Sequence, residues 1–264
     1  MSAELAVMEL TALLRAGTTA KNARHQFQIA NLSNFQKQQF DFIWSVATDS
    51  GGALTKGLDR LAEVFAKQNR QLSELKIAFA SPKATANLIL FLPLLAVLFS
   101  ELLGLSVLAA SVGTSLGAVS VGLGLILLII ARVSSLRILE AAKPRELDPG
   151  AFLDAISIAL SAGLNPKSAA AIAKSRFSQT LLEEVPSEQW LIFWEAVKTS
   201  EQSGIALTGL LTARADSLRY RMWNNHRALI AKLQIKLMIP LGLAALPAFV
   251  LLAVVPVGIG LFSS

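Results

Sequence analysis

Two long stretches almost without charge constrain this chain more than any other feature. From Leu88 to Ile130 the one charged residue is Glu101, and from Leu237 to Ser264 there is none. A helix crosses a hydrocarbon core of about 30 Å with about 20 mostly apolar residues. Open strands are excluded there because lipid cannot satisfy their backbone groups. The first stretch is long enough for two helices and the second for one, so the sequence predicts three membrane spans.

The position of Glu101 fixes the turn between the first two spans. A carboxylate is costly inside hydrocarbon and is tolerated outside it. We therefore predict a membrane hairpin over residues 85–131, with spans at about 85–100 and 111–131 joined by an outer loop at 101–110, and a third span at 237–262. The first 15 residues contain two glutamates and no continuous apolar run, so no signal peptide is expected.

Basic residues near the span ends predict the orientation, since Lys and Arg mark the cytoplasmic side. They all flank the same ends of the three spans: Lys76, Lys83, Arg132, Arg137, Lys143, Arg145, Arg227, Lys232 and Lys236. Residues 1–84 and 132–236 should then lie in the cytoplasm. The N-terminus is expected inside and the C-terminus outside.

Composition argues against several classes of function. The net charge of +6 is spread along the chain and concentrates at the span ends, which does not favour nucleic-acid binding. Cysteine is absent, and the two histidines, His25 and His226, lack the neighbours that a metal site needs. No phosphate-binding loop of the GxxxxGK[ST] type occurs. We therefore expect no enzyme activity, no metal and no cofactor.

Both predicted cytoplasmic modules are expected to be helical, because apolar residues recur at spacings of three and four. The modules also look like copies of one another. The clearest match sets SGGALTKGL at 50–58 beside SGIALTGLL at 203–211. The predicted turn and cap positions of the two copies are Gly17, Gly51, Gly52, Gly163, Asn165, Pro166 and Gly204.

The order of these features resembles a known family. The resemblance rests on four features: ALLRAGTTAKNA at 12–23, ISIALSAGLNPKSAAAIA at 156–173, the duplicated SG-x-ALT turns, and the Lys-to-Pro entry into spans one and three. They resemble the type II secretion system F domain family of membrane platform proteins, and most of all the TadB/TadC branch of tight-adherence pili. The resemblance implies an all-α membrane protein with two homologous cytoplasmic helical bundles and three transmembrane helices.

The same resemblance implies a function and a set of partners. It predicts a non-enzymatic platform in the bacterial inner membrane that couples a hexameric cytoplasmic secretion ATPase to pilin extraction and filament assembly. The expected partners are that ATPase, a second platform protein of the family, pilin subunits and membrane lipid, in a homo- or hetero-oligomer. The basic residues Arg219, Arg221, Arg227 and Lys232 are candidate contacts for an acidic partner, or else a solvated face or membrane anchor.

Features within the spans leave alternatives open. Four prolines are expected to kink or break helices: Pro93, Pro240, Pro247 and Pro256. Gly113 and Gly117 form a GxxxG pair that favours close helix packing, within the chain or in a dimer. Broken helices are also found in transporters. A small transporter or channel component, or a membrane signalling scaffold, is the alternative to the platform.

Overall fold

The computed structural model of the chain describes residues 2–26, 32–51, 54–104, 113–142, 148–181 and 184–263. Within these ranges the regular elements are helices, and there is no strand. Three of the helices are long and apolar enough to cross a membrane. The prediction of an all-α membrane protein with three apolar helices is confirmed at this level.

The described helices fall into short and long ones. The short helices are α1 Ala3–Arg15, α2 Ala20–Gln26, α3 Asn34–Asp49, α6 Ala151–Ser161, α7 Pro166–Leu181 and α8 Ser187–Ser203. The long helices are α4 Leu54–Leu102, α5 Ser115–Ala141 and α9 Leu207–Pro240. After α9 the chain continues through a π-helical turn at Leu241–Ala245, α10 Leu246–Phe249, a second π-helical turn at Val250–Val254 and α11 Val255–Ser263.

Glycines in the left-handed region end several of these helices. Positive φ angles occur at Gly17 (92°), Gly51 (64°), Gly163 (89°) and Gly204 (70°). A residue with a Cβ is strained in this conformation, so glycine suits these four predicted turns. Asn165 accepts a hydrogen bond from the Ser168 amide, and Pro166 occupies the first helical position of α7. The predicted turn residue Gly52 lies outside the described residues.

The chain divides into two compact units. Unit 1 combines Met1–Leu72 with Arg145–Asn224, and unit 2 combines Ser73–Pro144 with Asn225–Ser264. Both predicted cytoplasmic modules therefore contribute to unit 1. The predicted arrangement as two separate bundles is not confirmed.

One hydrophobic core serves unit 1 and takes side chains from both of its segments. Helix α3 of the first segment packs against α6 and α7 of the second. Phe42 of α3 and Phe152 of α6 both meet Phe177 of α7 edge-on, with ring centroids 5.4 and 6.0 Å apart. Each segment thus buries its apolar faces against the other.

In unit 2 the first predicted span belongs to α4. This helix continues two residues beyond the predicted end at 100, so Glu101 lies in its last turn, and Gly104 follows with a φ of 79°. The second span lies in α5, which begins at Ser115 and extends ten residues past the predicted end at 131. Most of the predicted outer loop, residues 105–110, lies outside the described residues.

Two π-helical turns interrupt the third span. Pro240 precedes the first π-helical turn, Pro247 lies in the short α10, and Pro256 follows the second π-helical turn. A proline supplies no amide proton to the carbonyl four residues earlier. Such gaps favour local changes of helix type and kinks. Pro93, in contrast, lies buried within the α-helical run of α4.

Small residues of α5 bring it close to the third span. Ser120 is buried, and its hydroxyl donates a hydrogen bond to the Leu251 carbonyl in the second π-helical turn. A Cβ on Gly124 would lie 2.6 Å from Cγ of Leu252. Gly117 is buried too, but Gly113 precedes the helix, is exposed and has open space around it. The packing face is therefore formed by Gly117, Ser120 and Gly124 rather than by the predicted Gly113–Gly117 pair.

A matched pair of substitutions in α5 tests this packing. Gly124→Ala should lower the free energy of unfolding by about 1–3 kcal/mol, because the added methyl overlaps Leu252. Gly122→Ala is the control, since a Cβ there meets open space. The measurement is SDS-titrated unfolding in mixed micelles followed by circular dichroism. Equal unfolding curves for the two variants would contradict this packing.

Candidate functional site

A buried network of ionic side chains lies within unit 1. Its members are Arg60 of α4, Asp148 just before α6, Asp154 of α6, and Asp216 and Arg219 of α9. Arg60 comes from the first segment of unit 1 and the other four residues from the second. The network therefore connects the two segments of the chain that form this unit.

Arg219 is the central cation. Its Nε and Nη2 atoms donate to the two carboxylate oxygens of Asp148 at 2.7 and 2.8 Å. Nη2 also lies 2.7 Å from Oδ2 of Asp154. The side chain is 10% exposed, and those of both aspartates are 3% exposed. The contact with Asp148 is bidentate and depends on the planar guanidinium, a geometry that a lysine does not reproduce.

Arg60 completes the network from the first segment. Its Nε donates to Oδ1 of Asp154 at 3.1 Å, and its Nη2 donates to Oδ1 of Asp216 at 2.7 Å. Lys67 lies about two turns after Arg60 on the same face of α4. Its Nζ is 3.4 Å from the other oxygen of Asp216. The three cations Arg60, Lys67 and Arg219 thus face three aspartates, and Arg60 also lies 3.3 Å from the exposed Glu63.

Local chain geometry explains why Arg219 reaches Asp148. Gly150 is the N-cap of α6, and its amide donates to Oδ1 of Asp148 at 3.0 Å. A Cβ on Gly150 would lie 2.7 Å from Cζ of Arg219 and 2.9 Å from the carbonyl oxygen of Ala215. Only glycine lets α9 approach the start of α6 this closely. Gln39 of α3 donates to Oδ2 of Asp148 at 2.7 Å from the opposite side.

Burial makes this network costly to disturb. Burial raises the pKa of Asp154, while the positive charges of Arg219 and Arg60 act in the opposite direction. Oε1 of Gln39 and Nη1 of Arg219 are buried and make no hydrogen bond within the part of the chain that the structure describes. Buried ions without a complete set of partners are expensive. The positive charges of the two arginines therefore offset part of the cost of burying Asp154 inside unit 1.

Two open clefts adjoin the network. The larger has a volume of about 240 Å³ and is lined by Lys67, Gln68, Asp216, Arg219 and Tyr220, among others. The smaller, of about 150 Å³, includes Lys56, Ser157 and Thr212. Both clefts are lined by acidic, basic and uncharged polar groups.

Among the described residues, no group of three or more His, Asp or Glu side chains is placed to hold a metal ion.

The candidate docking cations do not share one environment. Arg219 is buried and paired with Asp148 and Asp154, so its assignment to an exposed docking surface is corrected. Arg221, two residues on, is exposed and lies 3.4 Å from Glu188. Arg227 and Lys232 are exposed but belong to unit 2. Of the four residues, Arg221 is the one that remains on the surface of unit 1.

The sequence contains one local signal for the network. Asp154 lies within the run 151–156, in which every residue is buried. An acidic residue in a helix that is apolar on all sides requires a cationic partner, because an isolated buried carboxylate is rarely tolerated. The identity of that partner was not readable, since Arg60 and Arg219 lie 94 and 65 positions away.

Comparison with protein-family models, with curated proteins and with solved structures found no match to this chain. The site is therefore interpreted from its own geometry.

Substitution of the buried arginine has a close control on the same helix. Arg219→Ala should lower the free energy of unfolding of unit 1 by about 3–5 kcal/mol, because it leaves Asp148 and Asp154 buried with too little positive charge. Arg221→Ala removes an exposed ion pair and should cost less than about 1 kcal/mol. Urea unfolding in detergent can be followed by tryptophan fluorescence, since all four tryptophans lie in unit 1. Similar losses in the two variants would contradict the central role of Arg219.

The pH dependence of the Arg219→Ala variant provides a second test. Without this guanidinium, burial raises the pKa of Asp154 further above its ordinary value of 3.8. The folded variant then holds a proton at pH values where the unfolded chain has lost it. Its stability must fall as pH rises from the ordinary carboxyl range towards neutrality. The stability gap to the wild-type protein should therefore be smaller at pH 5 than at pH 7, and a gap independent of pH would contradict this account.

Proposed function

We propose that this protein is a non-enzymatic platform of a tight-adherence pilus or a related secretion machine in the bacterial inner membrane. In this proposal unit 1 faces the cytoplasm and receives a hexameric secretion ATPase. The spans of unit 2 interact with pilin subunits during their extraction from the bilayer. A second platform protein of the same family completes the assembly.

The observation that carries the proposal is that helices α4 and α9 each contain residues of both units. Each contributes charged residues to the buried network of unit 1 and continues into a candidate membrane span of unit 2. In this proposal each helix connects the unit that receives the ATPase with a span that meets pilin. The family resemblance in the glycine turns and in the order of modules and spans supports the same conclusion.

The ion network has a definite part in this proposal. A platform that receives force from a motor must not separate into its two chain segments. Arg60 links the two segments through Asp154 and Asp216, and Arg219 holds Asp148 and Asp154 in place within the second segment. The aromatic contacts of Phe177 with Phe42 and Phe152 add apolar cohesion. Unit 1 would therefore respond to the motor as one body.

Purification of the tagged full-length protein from native membranes in mild detergent tests the proposal. Mass spectrometry should identify a secretion ATPase and a second protein of this family among the partners. Arg221→Glu should reduce recovery of the ATPase, because it reverses an exposed cation of unit 1. Lys198→Glu is the matched control, since Lys198 is also an exposed cation of unit 1, carried by α8.

Absence of both partners, in membranes shown to contain them, would contradict the platform proposal. The interrupted third span would then favour the second candidate, a transporter or channel component, since broken helices line many transport pathways. Solute flux into vesicles that contain the purified protein distinguishes the two.

A further inference from the structure

Unit 2 contains a layer in which three helices pack through small and branched side chains. Ala86 of α4 and Ala131 of α5 are buried in the same cluster as Leu233 and Leu237 of α9. Alanine permits close approach of helices. This layer fixes the relative positions of the polar residues that flank it.

One cation on α4 and one on α5 lie within a helical turn of an alanine of this layer. Arg132 follows the buried Ala131, and its Nη1 donates to Oδ1 of Asn87 at 2.9 Å. Lys83 lies one turn before Asn87 on the same face of α4, since residues four apart are neighbours on a helix. Both cations are exposed, and Lys83 makes no ion pair within the described part of the chain. Lys83, Asn87 and Arg132 are called the headgroup site below.

Apolar side chains continue from the headgroup site along both helices. Phe91 and Leu94 lie one and two turns from Asn87 on the same face of α4, and they are 59% and 51% exposed. Ile129 and Leu125 lie at the corresponding distances from Arg132 on α5 and are 62% and 46% exposed. Positive charge at one end and a bare apolar surface at the other match the two parts of a phospholipid.

We propose that the headgroup site binds the phosphate of an anionic phospholipid, whose acyl chains lie along the exposed faces of α4 and α5. Asn87 holds one terminal nitrogen of Arg132, which leaves the rest of its guanidinium to donate to phosphate oxygens. Lys83 adds a second positive charge. The ligand is a lipid rather than free phosphate, because the apolar faces require acyl chains.

Further cations strengthen the preference for a negative headgroup. Lys232 and Lys236 flank Leu233 and Leu237 in α9, and both are exposed. Neither forms an ion pair among the residues that the structure describes. Each basic residue near a membrane surface favours anionic over uncharged lipid by about fivefold. The site is thus distinct from the network of unit 1 and independent of the proposed platform function.

Native mass spectrometry of the full-length protein in mild detergent tests this inference. The probes are dioleoyl phosphatidylglycerol and dioleoyl phosphatidylcholine at equal concentration. The wild-type protein should retain phosphatidylglycerol preferentially. In the Lys83→Gln/Arg132→Gln variant this preference should fall by about fivefold for each cation removed.

The control variant removes the same charge elsewhere. Lys198→Gln/Arg214→Gln changes two exposed cations of unit 1 and should keep the wild-type preference. Lys83→Arg/Arg132→Lys retains both charges and should keep most of it. A wild-type protein that does not distinguish the two lipids would overturn the inference, and this comparison requires no variant. Displacement of phosphatidylglycerol by millimolar inorganic phosphate would also overturn it, because the ligand would then be phosphate alone.

Discussion

The structure of unit 1 depends on the burial of Arg219 between two carboxylates. A guanidinium with 10% of its surface exposed must be neutralised locally, and Asp148 and Asp154 do so at 2.7–2.8 Å. These contacts fix the position of α9 against α6, and Gly150 provides the space for them. Arg60 then ties α4 to the same carboxylate, Asp154. The bidentate geometry of the Arg219–Asp148 pair adds directional specificity to the apolar packing of these helices.

Much of the fold followed from the sequence because its strongest signals are local. Apolar stretches of sufficient length predicted three membrane helices, and glycines at turns predicted helix ends that the structure places at Gly17, Gly51, Gly163 and Gly204. Each of these signals depends on residues close together in the chain. Boundaries were less accurate: α4 ends two residues later than predicted, with Glu101 in its last turn.

The features that the sequence did not predict depend on distant residues. The association of both helical segments in unit 1 rests on contacts such as Phe42 with Phe177, which are 135 positions apart. In the sequence, nothing distinguishes the buried from the exposed cations in the basic run that includes Arg219 and Arg221. In the structure, the step of two residues along α9 turns one cation into the core and the other into solvent. Similarly, Gly113 looked equivalent to Gly117, but the helix that buries Gly117 starts only at Ser115.

The discontinuity of unit 1 has a consequence for biosynthesis. Residues 1–72 leave the ribosome before residues 145–224, which cover their apolar side chains and are translated only after the first two apolar stretches. Those stretches must therefore enter the bilayer while the leading segment still exposes side chains such as Phe40 and Phe42, which are fully buried in the finished protein. Chains that stop before residue 145 would retain these exposed surfaces and become substrates for chaperones and proteases. Insertion of the hairpin thus precedes completion of unit 1, although one segment of unit 1 is translated before the hairpin.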